Sequence, residues 1–184
     1  FDEPYGVVST NDGSRIYATL DYPGQIVEID TQAKKVVRSI DAGPFARGLA
    51  IGPKEERLYI TEFYTSTVRA FDIKTGQVVD EWKGSSTDNL GRQLVVSARR
   101  PKVYLPHVRS RVNETHGSGS IFPYVAVPDT RPGEGRRRRR VPMDTFGNGR
   151  ITANPWEVAL NPDGTQLYIV FAGTNELFQA TVED

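Results

Sequence analysis

His107 and His116 are the chain's two histidines, and Arg109, Arg111, Asn113 and Glu114 stand between them. A second stretch carries Phe146, Asn148, Arg150 and Asn154, with Trp156 just beyond it. These residue types allow several kinds of chemistry. The arginines offer charged donor forks to an anion, two imidazoles with a carboxylate are the raw material of a metal site, and cations mixed with amides and aromatics suit a protein-docking surface. Plain loop packing is the bland alternative. Nothing fixes the separation of the two histidines for a shared ion, and Gly117-Ser118-Gly119 loosens the segment. The expectation is therefore a binding mouth for a protein partner or a further domain of the same protein, with a small anionic ligand as a second possibility and no metal.

Catalysis has less support. The chain has no Gly-x-Ser-x-Gly elbow, no phosphate-binding loop, no His-Glu-x-x-His and no cysteine, which removes the common nucleophile and metalloprotease signatures. Either histidine could act as a base, yet no orienting partner can be named. Without cysteine there is also no disulfide, no thiolate zinc site and no covalent c-type haem attachment within these residues. Lys and Arg together number 23, as do Asp and Glu. A formal charge of zero provides no field to steer the chain to nucleic acid or an anionic membrane. No apolar run reaches the length of a transmembrane helix and no signal peptide is visible.

The loudest feature is the arginine run 136–140. Its place in the internal repeat described next corresponds to Lys34-Lys35-Val36-Val37-Arg38. That makes it a solvated outer strand, where charge guards a sheet edge; an acidic partner or nucleic acid are the alternatives. Alternate arginines on one face lie about 7 Å apart and repel by about 0.6 kcal/mol in water, a cost tolerable on a rim. Asn113-Glu114-Thr115 fits a glycosylation sequon, relevant only to a eukaryotic secretory setting.

The elements that must position these residues repeat four times. Arg15-Ile16-Tyr17, Arg57-Leu58-Tyr59, Lys102-Val103-Tyr104 and Gln166-Leu167-Tyr168 each follow a polar turn. Each is followed by an apolar run closed by an acid, such as Ile26-Val27-Glu28-Ile29-Asp30 and Val68-Arg69-Ala70-Phe71-Asp72. The tyrosines are spaced by 42, 45 and 64 residues. Short alternating or β-branched runs joined by Gly, Asp, Asn and Pro turns read as antiparallel sheets, and a period near 40 reads as β-propeller blades. The expectation is an all-β propeller of about four four-stranded blades at residues 4–43, 44–89, 90–154 and 155–184, the last lacking its fourth strand. The ring would be larger, of six to eight blades, with this chain a fragment of it; a dimer of half-propellers is the alternative. Asp12-Gly13 and Asp163-Gly164 recur at one hairpin, which marks them as turn chemistry and not metal ligands. Three connections depart from the repeat, at 84–92, 106–120 and 145–154, and all are expected to converge on one mouth of the channel.

Glu3-Pro4-Tyr5-Gly6-Val7, Asp72-Ile73-Lys74-Thr75-Gly76-Gln77-Val78-Val79 and Asn161-Pro162-Asp163-Gly164-Thr165-Gln166-Leu167-Tyr168 resemble the YVTN family of propeller repeats. That resemblance covers nearly the whole chain and implies a binding platform. Leu105-Pro106-His107-Val108-Arg109-Ser110, Asn154-Pro155-Trp156-Glu157-Val158-Ala159-Leu160 and Tyr168-Ile169-Val170-Phe171-Ala172-Gly173-Thr174 are similar to bacterial proteins in which such a propeller precedes a di-haem peroxidase-like cytochrome domain. This implies a periplasmic or extracellular scaffold, or the propeller part of a redox enzyme whose haem lies outside these residues.

Overall fold

The computed structural model describes residues 2–111, 120–131, 138–143 and 152–183. Four antiparallel sheets follow one another along the chain. The first runs β1 (Pro4–Ser9), β2 (Arg15–Leu20), β3 (Gln25–Asp30), β4 (Lys35–Asp41), and the second β5 (Ala46–Ile51), β6 (Arg57–Glu62), β7 (Val68–Asp72), β8 (Val78–Trp82). The third joins β10 (Val95–Val96), β11 (Val103–Arg111), β12 (Ser120–Pro128) and β13 (Arg138–Pro142), with β9 (Asp88–Asn89) added against β11. The fourth has β14 (Pro155–Leu160), β15 (Gln166–Phe171) and β16 (Glu176–Thr181). Successive innermost strands adjoin, β5 lying against β1, β10 against β5 and β14 against β10. This is the β-propeller arrangement that the repeat predicts.

The core is divided by blade. Tyr17, Ile26 and Ile40 of the first sheet meet Leu49, Leu58, Ile60 and Phe71 of the second. Tyr59, Val68 and Trp82 then meet Leu94, Val103 and Leu105, and Tyr104, Val125 and Met143 meet Leu167, Ile169 and Phe171. Tyr17, Tyr59 and Tyr104, three of the four repeated tyrosines, thus reach across to the next blade. Polar bonds reinforce these seams: Trp82 Nε1 donates to the Asp129 carbonyl at 3.1 Å, and Arg100 donates to the carbonyls of Gly164 and Val182. The two Asp-Gly hairpins are turns, as their recurrence suggests. Asp12 and Asp163 accept from the N–H of Ser14 and Thr165 at 2.9 and 3.0 Å, and the glycines take φ of 69° and 68°.

Two expectations are corrected. Residues 106–120 are not wholly a mouth loop, because β11 runs to Arg111 and β12 resumes at Ser120, in register from Leu105↔Ala126 to Arg111↔Ser120. Pro106 lies within β11, although proline cannot donate to a ladder. It is tolerated because β11 pairs with β10 at Val103 and Tyr104 and with β9 at Val108 and Arg109, leaving Pro106 in the gap between them. The connection 84–92 does not project either: β9 extends the third sheet, and Ser110 N–H donates to the Thr87 carbonyl at 2.9 Å.

The second correction concerns the arginine run. β13 is the outermost strand of its sheet, as register indicates, and Arg139 is exposed. Its neighbours turn inward, Arg138 almost fully and Arg140 in part. The Arg138 side chain is 5% exposed and that of Arg140 30%, and both ion-pair with Asp88, at 3.7 and 3.2 Å. One face of an outer strand packs on the adjoining blade, and β9 delivers the carboxylate that makes burial of Arg138 possible there.

Candidate functional site

His107 lies mid-strand in β11 with no exposed surface, so it cannot serve a mouth. Its ring stacks on Tyr124 at 6.0 Å, Nδ1 lies 3.2 Å from the Val108 carbonyl, and Nε2 has no partner among the described residues. Burial, helped by the Arg138 charge and opposed by Asp88, lowers its pKa to about 4. It is therefore neutral near pH 7. Arg138 donates to the Ser66 carbonyl at 2.6 Å, and burial lowers its pKa to about 10, leaving it charged. Burial alone would raise Asp88, but the Ser85 N–H and hydroxyl and the neighbouring cationic groups hold its carboxyl below the ordinary range. This polar cluster ties blade three to blade two.

The other residues of the predicted mouth separate. Arg109 donates from Nε to the Thr87 hydroxyl at 3.1 Å, Arg111 is the last residue of β11, and Trp156 stands in β14, 45% exposed. Asn113, Glu114, His116, Phe146, Asn148 and Arg150 lie outside the described residues.

Trp156 instead belongs to a set that recurs with the blades. Glu3, Phe45, Leu90 and Asn154 each take a left-handed φ, between 38° and 57°, on the way into an innermost strand, directly ahead of it in three blades and five residues ahead of β10 in the third. Two residues after each stand Tyr5, Arg47, Arg92 and Trp156. The turn is pinned alike in three blades, the N–H groups of Asp21, Phe63 and Ala172 donating to the carbonyls of Glu3, Phe45 and Asn154 at 3.0 Å. Adjacent blades are then bolted through the arginine backbones, since the Thr19 and Thr61 hydroxyls donate to the Arg47 and Arg92 carbonyls at 2.6 Å. Gly6 and Gly48 permit that approach: a Cβ there would fall 2.6 and 2.0 Å from those same carbonyl oxygens.

The side chains form a ladder. The Arg47 guanidinium lies 3.5 Å from the centre of the Phe63 ring and 5.2 Å from that of Tyr5. Arg92 lies 5.3 Å from Phe63 and 4.2 Å from Trp156. Such contacts are worth about 0.5 to 2 kcal/mol each according to exposure. Arg47 Nε donates to Asp21 at 2.7 Å, and Arg92 Nη1 to the Asn154 side chain at 3.0 Å. Arg92 is only 8% exposed and its buried Nε has no partner among the described residues. Burial depresses its pKa, and the nearby Arg47 charge adds to that against the opposing pull of Tyr5. Aligning the repeat on Gly6-Val7, Gly48-Leu49, Gln93-Leu94 and Glu157-Val158, instead of on the tyrosines of the second strands, would have put Tyr5, Arg47, Arg92 and Trp156 in one column.

A cleft of about 610 Å³ opens between the outer strands of blades three and four, lined by Tyr104, Val125, Val127, Leu167 and Phe178 with Arg139 at its side. Among the described residues, no group of three or more acidic, His or Cys side chains is placed to hold a metal ion, and no helix is long and apolar enough to cross a membrane.

No family model matches the chain, and no curated protein does. Solved structures do. Hydrazine synthase of Kuenenia stuttgartiensis superposes with a TM-score of 0.85 at 23% identity, over 97% of this chain and 52% of that one. A putative 6-phosphogluconolactonase of Bacteroides uniformis gives 0.71 at 15% identity, over 98% and 51%. The Cps50 (Swd1) β-propeller domain of Myceliophteria thermophila gives 0.62 at 12% identity, over 100% and 56%. The chain thus spans about half the length of each of these three structures, and at these identities the likeness is one of fold: the β-propeller.

Proposed function

We propose that this chain is a binding and scaffold module, and that it docks a partner protein or a further domain of its own protein through the face bearing Tyr5, Arg47, Phe63, Arg92 and Trp156. The observation that carries this reading is the ladder itself. Tyr5 and Trp156 are 42% and 45% exposed, and Tyr64, edge-on to both Phe45 and Phe63, is 54% exposed. Aromatic and arginine side chains held rigidly at one end of a scaffold are the residue types that dominate interface energies. The test is to isolate the partner from native material, purify it and measure its affinity for wild-type and Arg47→Glu/Trp156→Ala protein. Loss of at least tenfold is expected; unchanged affinity would show that another face docks.

A second reading has its own support. The similarity of the 105–110 and 154–174 stretches to propeller–cytochrome proteins, with the fold likeness to hydrazine synthase, favours the propeller part of a redox enzyme whose haem lies elsewhere. In that case the same face shapes access to the haem domain. A Soret band in the intact native protein is the expected sign, and its absence would sink this second reading.

A further inference from the structure

We infer that Arg47 and Arg92 form a carboxylate-binding site at the ladder. It rests on the reading of this face as the binding face and names the chemistry it takes. A guanidinium packed against aromatic rings keeps its N–H groups free for acceptors lying in its own plane. Arg47 uses Nε on Asp21, and its two terminal amino groups have no hydrogen-bond partner among the described residues. Arg92 uses Nη1 on Asn154 and Pro155, while its buried Nε is unpartnered. Buried donors are ordinarily satisfied, so one left over calls for an acceptor.

Charge points the same way. Two guanidiniums share the Phe63 ring, and Asp21 is the acid paired with them, leaving one positive charge over. A monoanion with a planar pair of oxygens balances that charge and fits a fork geometry. The same chemistry has two sources, a free small carboxylate or an acidic side chain of a docked partner. At the Arg138–Arg140 cluster the terminal amino groups already face Asp88 and the Ser66 carbonyl, although Arg138 Nε and Nη2 and Arg140 Nε are likewise without a hydrogen-bond partner among the described residues.

Trp156 supplies the readout, because its indole lies 4.2 Å from the Arg92 guanidinium carbon and the other tryptophan, Trp82, is 1% exposed in the core. The intact purified protein is titrated with sodium acetate, with sodium chloride at equal ionic strength, and with the peptide acetyl-Gly-Glu-Gly-amide. Saturable change in tryptophan emission is expected with acetate and with the peptide, and not with chloride. Arg92→Gln should weaken the acetate response at least tenfold. Asp21→Asn, which frees Arg47 from its internal acid, should tighten it several-fold and gives an answer even if the Arg92 variant misfolds. A peptide bound tenfold tighter than acetate identifies a partner side chain; equal affinities identify a free carboxylate. An equal response to chloride, or an Asp21→Asn protein that binds acetate no better, overturns the site. Failure of partner docking with an intact acetate response would instead remove the scaffold reading and leave this site standing.

Discussion

Two pairs of arginines lie at blade seams, one member of each buried, and they are held in different ways. Arg138 and Arg140, between blades two and three, share the carboxylate of Asp88, and Arg138 adds the Ser66 carbonyl. Arg47 and Arg92, at the starts of the innermost strands, lie instead against Tyr5, Phe63 and Trp156. Burial does not separate them: Arg92 is 8% exposed and the Arg138 side chain 5%. What separates them is the surface they lie against. The terminal amino groups of the seam pair face Asp88 and the Ser66 carbonyl, whereas aromatic rings cover the ladder pair and, with Arg47 Nε on Asp21, the two terminal amino groups of Arg47 are left without a partner among the described residues. The first pair is structural, the second is available.

The strongest way to break that contrast is to remove Asp88. Asp88→Ala leaves two seam cations without a counterion, and breaking a buried pair in this way costs about 3 to 5 kcal/mol. Urea unfolding should show that loss with little change in acetate response; a loss under 1 kcal/mol would mean the seam pair is solvated after all. Arg138→Ser should be destabilising for the same reason, against the edge-strand expectation.

Acid should act next. His107, facing Asp88, Arg138 and Arg140, has a folded pKa of about 4 against an ordinary 6.5. The unfolded chain therefore binds the proton first, so stability falls as pH drops from about 6.5 to about 4 and is fully present above that window. The span corresponds to roughly 3 kcal/mol. His107→Gln should flatten this part of the pH–stability curve; an unchanged slope would assign it to other groups.

Gly48→Ala sharpens the other side. Its Cβ would meet the Arg92 carbonyl at 2.0 Å, and overpacking of this kind costs about 1 to 3 kcal/mol. Because it displaces the Arg92 backbone, acetate affinity should fall with it, whereas Gly13→Ala, which meets nothing within 4 Å, should leave affinity intact. Trp156→Ala is the mildest: a half-exposed ring lost at less than about 1 kcal/mol of stability, with a weaker hold on Arg92. Thermal melts and an acetate titration followed on the arginine Nε–Hε NMR signals separate the two effects.

The fold was legible because the second-strand tyrosines Tyr17, Tyr59 and Tyr104 pack on the next blade, so a packing requirement leaves a sequence period. The sites were less so. Pro106 hid a strand that only the spacing of β9 and β10 makes possible. The arginine run gave its strand away but not its inward face, since Asp88 arrives from a separate connection some fifty residues earlier. Trp156 was legible as an aromatic after a loop; Tyr5, Arg47 and Arg92 were not, because the chemistry changes from blade to blade while the backbone position is kept.

The most direct measurement is a side-chain NMR titration that follows the arginine Nε–Hε signals as acetate is added. The Arg47 and Arg92 signals should shift saturably and together, while those of Arg138 and Arg140 stay in place. Shifts confined to Arg138 and Arg140, or none at the ladder pair, would contradict the division between a locked seam and an open site.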